Sequence, residues 1–130
     1  MLNALLTAIF NRFTGSDFSA DIGGRMYSRY APQGVAFPYA VVSIPFGLSD
    51  WMFVERFDDV DVQFNLFSQN TSETEIGTML TNLRARYDDT TLTVSGYTFL
   101  YCQHERSLTL SDPELNIRQY SVFYNILLQV

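Results

Sequence analysis

The sequence contains no lysine, one cysteine (Cys102) and one histidine (His104). Without lysine, the chain has no amine for a Schiff base and no lysine for a phosphate-binding loop. One cysteine and one histidine are too few for a zinc site, and a lone cysteine allows no disulfide within the chain. The cysteine usage is therefore typical of a protein made in a reducing compartment, the cytoplasm.

Charged residues are also scarce, at 17% of the 130 residues against 47% hydrophobic residues. This balance excludes a disordered chain, and the length suits a single domain over residues 1–130. The formal net charge of −6 argues against tight wrapping of nucleic acid, which requires a basic surface. No apolar run approaches the ~20 residues of a membrane span, and the N-terminus lacks the basic start of a signal peptide, so we expect no membrane partner.

Aromatic residues, by contrast, are abundant: 11 Phe, 8 Tyr and 1 Trp make up 15% of the chain. Large aromatic side chains dominate protein–protein interfaces, and this content exceeds what a domain of this size usually needs for its own core. Two interpretations follow. The aromatic residues either make contacts with other subunits or form an aromatic-rich core.

The spacing of apolar residues predicts two amphipathic helices and a mostly antiparallel sheet. Helical spacing predicts a first helix over residues 2–13, and Ser72 with Glu75 predicts a capping box that starts a second helix ending near Tyr87. One-sided strands pair antiparallel under a helical layer, so we expect an α+β domain with both helices on one face of the sheet. Strands are predicted near 26–30 and over 38–46, 56–66, 91–94, 97–110 and 120–130.

Residues 45–57 fit neither the helical nor the strand period. They include Phe46, Leu48, Trp51, Met52 and Phe53, which we interpret as anchors of a subunit or partner interface. We expect a loop or hairpin arm that is mobile in the free subunit and is ordered by a neighbour. The alternative is that the segment folds back and completes the core.

Cys102 and His104 lie two residues apart on a predicted strand and therefore share one face, with their Cα atoms roughly 6–7 Å apart and their side chains parallel. A catalytic dyad requires hydrogen-bond contact, so we interpret His104 as a partly exposed strand residue. No other set of residues combines a nucleophile, a base and oxyanion donors. We therefore predict no enzyme activity, no catalytic residue and no cofactor.

Asp58, Asp59 and Asp61 form the one carboxylate cluster of the sequence. Asp59 and Asp61 share one face of a predicted strand, where they would either bind a divalent metal or form a solvated polar face. No third ligand accompanies them. The solvated face is the simpler interpretation, and we predict no metal site.

One segment resembles a known family. Residues 23–27 read Gly-Gly-Arg-Met-Tyr, and residues 31–42 read Ala-Pro-Gln-Gly-Val-Ala-Phe-Pro-Tyr-Ala-Val-Val. With the preceding helix and the strands and helix that follow, this segment resembles the tail-completion (tail-terminator, head–tail joining) proteins of tailed phages, which also occur in gene-transfer-agent-like particles. The matching positions are Gly23, Gly24, Arg25, Tyr27, Ala31, Pro32, Gln33, Gly34, Pro38 and Tyr39.

The resemblance implies a virion structural protein. Its subunits would close as a ring, a hexamer, on the head-proximal end of a long non-contractile tail, and would end tube polymerisation. Its partners would be copies of itself, the tail tube protein and a neck or head-completion protein, while DNA would pass without specific binding. Two other functions remain open, namely another neck or head–tail adaptor, and a small ligand-binding domain or enzyme of host origin.

The resemblance also bears on single residues. We expect Arg25 to anchor the 23–39 loop through hydrogen bonds to carboxylate or carbonyl groups. If the sheet lines a channel for DNA, Asp59 and Asp61 would repeat around the ring and repel the phosphates. Residues 45–57 are bulkier and more aromatic than the family pattern, which leaves the partner surface open.

Overall fold

A computed structural model describes residues 2–52, 55–70, 72–112 and 116–129 of the chain. These residues form one sheet with strand order β1-β2-β3-β5-β4. All neighbouring strands are antiparallel except β1 and β2, which run parallel. The predicted α+β class with a mostly antiparallel sheet is confirmed. The elements are α1 (Leu2–Phe13), α2 (Asp17–Asp21), β1 (Met26–Ser28), β2 (Tyr39–Met52), β3 (Glu55–Ser68), α3 (Thr74–Tyr87), β4 (Thr98–Asp112) and β5 (Ile117–Gln129).

The core lies between the helices and one face of the sheet. Alternate residues of each central strand are apolar, and so is one stripe of each long helix, which gives both layers a surface to bury. The buried set on the sheet is Ala40, Val42, Val60, Val62, Phe64, Leu66, Val122, Tyr124, Ile126 and Leu128. The buried set on the helices is Leu5, Ala8, Ile9, Phe13, Phe18, Ile76, Met79, Leu83 and Tyr87.

An aromatic cluster joins the sheet to α3. The Phe64 ring lies 4.8 Å from that of Tyr87 and 5.8 Å from that of Tyr124, measured between ring centroids. Both buried hydroxyls are satisfied: Tyr87 donates to the Ile9 carbonyl (2.8 Å) and Tyr124 donates to the Asp88 carboxylate (2.5 Å). Burial raises the pKa of both tyrosines, so they remain neutral donors.

The predicted capping box at Ser72 is wrong. Helix α3 begins at Thr74, and Glu73 at its N-cap makes no side-chain capping bond. Glu75 instead accepts a hydrogen bond from the Ser68 hydroxyl (2.7 Å). Because Ser68 is fully buried at the end of β3, its hydroxyl needs an acceptor, and Glu75 is therefore not available to Ser72.

The predicted end of the second strand is also wrong. We expected a strand over 38–46, but β2 continues past Pro45 to Met52. The register shifts between Ser43 and Phe46, so a β-bulge accommodates the proline without ending the strand.

Residues 91–94 do not form the predicted strand. Leu92 and Val94 are buried while Thr91, Thr93 and Ser95 are exposed, so the alternation reflects a loop that packs on the core.

Helix α2 was not expected, and it lies between the first predicted helix and the strand predicted near 26–30. The Ser16 hydroxyl caps it by accepting the Ser19 N–H (3.1 Å), and α2 buries Phe18.

Candidate assembly surfaces

Arg25 joins the two ends of the 23–39 loop, called the glycine-rich loop below, through hydrogen bonds. Its Nε donates to the Pro38 carbonyl (3.0 Å) and its Nη2 to the Phe37 carbonyl (3.5 Å), so the anchor is made through carbonyl groups. The Arg25 carbonyl in turn accepts the N–H of Ala40 (3.0 Å) at the start of the β1–β2 pair. Gly23 has φ of +58°, and a Cβ there would lie 2.9 Å from Nη1 of Arg25, so this position favours glycine.

The outer part of the same loop presents a turn to solvent. Pro32, Gln33 and Gly34 are exposed, and the Val35 N–H donates to the Pro32 carbonyl (3.3 Å). Gly34 has φ of +78°, which is the conformation that a type II turn requires at its third position. The family-motif residues therefore divide into a half-buried anchor at Arg25 and an exposed turn.

Tyr30 beside this turn was not singled out from the sequence. Its side chain is 79% exposed, which is unusual for a large aromatic residue. The neighbouring Ala31-Pro32 motif was the only sequence signal near it. Tyr39 of the same motif is placed differently, because its ring stacks on Phe67 of β3 at 4.7 Å.

The face of the sheet opposite the helices, called the open face below, is largely polar. Asn65 accepts hydrogen bonds from Gln63 (2.9 Å), from Ser121 (2.6 Å) and from Gln119 (3.4 Å). The bonds from Ser121 and Gln119 join β3 to β5 through side chains as well as through the backbone, whereas the bond from Gln63 lies within β3. On β2, β3 and β5 the open face includes Tyr39, Val41, Ser43, Asp59, Asp61, Gln63, Asn65, Phe67, Gln119, Ser121, Phe123, Asn125 and Leu127.

Asp59 and Asp61 lie together on the open face, whereas Asp58 does not. The Asn125 amide donates to both Asp59 and Asp61, and each of the two carboxylates is half-buried. Asp58 is only 5% exposed and falls in the alternating set of Val60, on the helix side. That separation could have been found from the sequence, because the alternation assigns Asp58 to the other face. In the part of the chain that the structure describes, no three His, Cys, Asp or Glu residues are grouped as metal ligands would be.

Strands β2 and β3 form a long hairpin, and its far end contains residues 45–57. The backbone register pairs Phe46 with Asp61 and Leu48 with Asp59. Trp51 pairs with Arg56 and Met52 with Glu55. The side chains of these four proposed anchors, and the whole of Phe53, lie outside what the structure describes, so the interface and its mobility stay predictions.

Cys102 and His104 have separate surroundings. Cys102 is buried, and burial together with the charges of Asp88 and Asp89 raises the pKa of its thiol to about 12. His104 is partly exposed, contacts the Ser107 hydroxyl (2.9 Å) and packs edge-on against Tyr124. The register from Cys102 to His104 is regular, and a bulge follows between His104 and Arg106.

The raised pKa predicts that the Cys102 thiol is labelled slowly. At pH 8 a thiol with a pKa of about 12 has roughly a thousandth of the thiolate of an ordinary cysteine, so we expect labelling by Ellman's reagent to be ~100-fold or more slower in the native protein than in urea. Raising the pH should increase the native rate. Ser107→Cys, at an exposed position, is the control and should react at once; equally fast reaction of native Cys102 would contradict the buried placement.

A surface cavity of about 230 Å³ lies where β1 ends and β2 continues with β3 as its one neighbouring strand in the described part of the chain. Its lining is Leu6, Ser28, Arg29, Ser43, Ile44 and Pro45.

None of the helices in the described ranges is long and apolar enough to cross a membrane.

Fold and surfaces together define a small α+β domain with one helix-covered sheet face and one polar open face. The family model described as tail completion protein gp17 matches residues 7–129. The chain therefore belongs to the tail completion protein gp17 family and is a structural protein of a virion tail.

Comparison with solved structures agrees at the level of fold. A chain in the structure titled "Virion of native gene transfer agent (GTA) particle" superposes with a TM-score of 0.84 at 12% sequence identity, over 99% of this chain and 97% of that chain. At this identity the likeness shows the fold alone. No curated protein sequence matches the chain.

Proposed function

We propose that this protein is a tail terminator that caps the head-proximal end of the tail tube. In this role it forms a ring with copies of itself, a hexamer, ends tube polymerisation and makes the joint to the neck and head. The observation that carries the proposal is the family match across residues 7–129. The role needs binding and no chemical step, so the protein acts without catalysis.

The terminator role requires one surface for the tube end and another for neighbouring subunits. A ring needs a head-to-tail contact that closes, and large apolar anchors supply most of the energy of such contacts. We assign the contact with the tube or the adjacent subunit to the hairpin arm, through Phe46, Leu48, Trp51, Met52 and Phe53. The exposed turn at Pro32–Gly34, with Tyr30 beside it, is available for the neck protein.

The open face of the sheet suits the lumen of the ring. The helices occupy the other face, and a bulky helical layer fits the longer outer circumference of a ring. Asp59 and Asp61 then face the axis, held by the Asn125 amide, and repel the phosphates of passing DNA. The formal charge of −6 per subunit supports passage without binding.

Deletion of the gene tests the terminator role through tail length. Because tube polymerisation would lack its stop, we expect tails longer than those of the parent particle, without heads, in negatively stained lysates. Complementation with the intact gene should restore both length and head attachment. Tails of ordinary length that remain separate from filled capsids would contradict termination and indicate a head–tail adaptor, and normal particles would contradict both roles.

A further inference from the structure

Two stretches of strand edge have no partner strand in the described part of the chain. On one side of the sheet, β1 pairs only with residues 40–42 of β2, so the outer edge of β2 is open from Ile44 to Met52. On the other side, β4 is the last strand, and the backbone contact to its outer edge is the Asp89 N–H on the Cys102 carbonyl (3.0 Å). Beyond Cys102 the edge of β4 is open.

Irregular geometry lies near the start of each open stretch and ends within it. Bulges lie between Ser43 and Phe46 in β2 and between His104 and Arg106 in β4, and the register is regular from there to the hairpin ends. Proteins usually protect a free edge with bulges, proline or charge. Residues 46–49 and 107–111 contain neither proline nor a charged residue, which is the composition of an edge that becomes covered.

The direction of the backbone N–H and C=O groups shows which residues could pair with a further strand. Residues that face a neighbour alternate along an antiparallel strand. The Val42 carbonyl accepts the Arg29 N–H on the β1 side, so the pairs that bond across to β3 are those of Ser43 and, after the bulge, of Phe46, Leu48 and Asp50. The backbone groups of Gly47, Ser49 and Trp51 therefore point outward. The Cys102 carbonyl likewise points outward to the Asp89 N–H, and continuing the alternation of its partner Ile126 along β5 assigns the outward groups of β4 to Ser107, Thr109 and Ser111. Both edges therefore offer alternating donors and acceptors.

We propose that the open edge of β2 in one subunit pairs antiparallel with the open edge of β4 in a second copy of this chain, with Ser49 opposite Ser107. The two strands run in opposite directions within one sheet, so subunits related by rotation bring them together in antiparallel order. Since both edges belong to every subunit, the contact is head-to-tail and repeats around a ring. The inference rests on the proposed function, because it describes how the terminator ring closes.

The positions of the edges match the tilt of a closed sheet. In such a ring, the β2 edges of neighbouring subunits would lie four strand spacings apart, which is ~19 Å at ~4.8 Å per spacing. The register places Ser49 level with Phe99 and Leu128, whereas Ser107 is level with Val122. From Leu128 to Val122 the distance along β5 is ~20 Å at ~3.3 Å per residue. The strands must then tilt by about 45° for the edges to meet, which is close to the ~35–45° of closed barrels.

Disulfide cross-linking of assembled particles tests this pairing. In particles that contain Ser49→Cys with Ser107→Cys, facing Cα atoms would lie ~5.5 Å apart, within disulfide range, whereas the two positions of one subunit are more than ~20 Å apart. Mild oxidation should give a non-reducing ladder that ends at the ring and collapses with thiol. Each single substitution, and Asn11→Cys on exposed α1 with Ser107→Cys, should give no ladder.

The outcomes separate this inference from the proposed function. A ladder with Ser49→Cys and Thr109→Cys would support the edge contact in a register shifted by one pair. Absence of both ladders from particles that contain the protein at the tail end would overturn edge pairing and leave termination intact. Dimers from a single substitution would show two-fold pairing and overturn the head-to-tail contact. Absence of the protein from tails would overturn the proposed function itself.

Proline substitution gives an independent test without new cysteines. Ser49→Pro removes an outward N–H, and an edge strand tolerates proline when that N–H faces solvent, so the free subunit should keep its circular dichroism spectrum. Incorporation into tails should fall at least tenfold, whereas Ser49→Ala, which keeps the N–H, should assemble normally. Equal incorporation of both variants would overturn the proposal.

Discussion

Replacing Phe64 with alanine is expected to lower the free energy of unfolding by about 3–5 kcal/mol. Phe64 is 1% exposed and lies at the centre of the aromatic cluster, so the substitution removes its contacts with Tyr87 and Tyr124 and leaves a cavity. A domain of this size has a total stability of about 5–15 kcal/mol, so the loss would be a large share of it. Urea denaturation followed by far-ultraviolet circular dichroism measures the change.

Phe67→Ala is the matched control on the same strand. Phe67 belongs to the open face, where it is half-buried and stacks on Tyr39. Its removal should cost only about 1–2 kcal/mol, because solvent and neighbouring side chains can fill the space. Equal losses for the two variants would contradict the placement of the core on the helix side alone.

Reversing the charge of Asp59 and Asp61 is expected to slow DNA release from assembled particles. In Asp59→Lys/Asp61→Lys particles, every subunit would present two amines to the DNA in place of two carboxylates, and lysine–phosphate attraction would replace repulsion. A slowing of about tenfold corresponds to ~1.4 kcal/mol of added barrier. Fluorescence of a DNA-binding dye after triggered ejection measures the rate, and added salt should restore it by screening.

The controls separate lumen charge from other causes. Asp59→Asn/Asp61→Asn keeps acceptors for the Asn125 amide and should slow release less than the lysine variant. Asp17→Lys/Asp89→Lys changes the net charge equally at exposed positions on the helix side and should leave release unchanged. Normal kinetics in the Asp59/Asp61 lysine variant, with assembly intact, would contradict an acidic lumen.

The glycine-rich loop shows which features could be predicted from local sequence and which could not. Positive φ is found at Gly23, Gly24 and Gly34, where glycine adopts it without steric cost. The partner of Arg25 was left open between carboxylate and carbonyl groups, because a partner 13 residues away depends on how the loop closes. Tyr30 carried no periodic signal, and its exposure emerged only from the folded loop.

Errors in the predicted elements share one cause. At Ser72, at Pro45 and over 91–94, a local rule gave way to a contact made by another part of the chain. Glu75 bonds to Ser68, a bulge against β3 absorbs Pro45, and Leu92 and Val94 pack on the core without a strand partner. Local propensity is a weak preference, and burial of a polar group or an apolar side chain outweighs it.

By itself, the sequence determined which residues face the core, because side-chain direction along a helix or strand follows a local period. It also determined the family, through a motif whose residues are near neighbours in the chain. Only the tertiary structure decided which strands pair, and that the edges of β2 and β4 have no partner strand in the described part of the chain. Strand partners and free edges are set by contacts between distant segments, and the hydrophobic period of a strand does not name its neighbour.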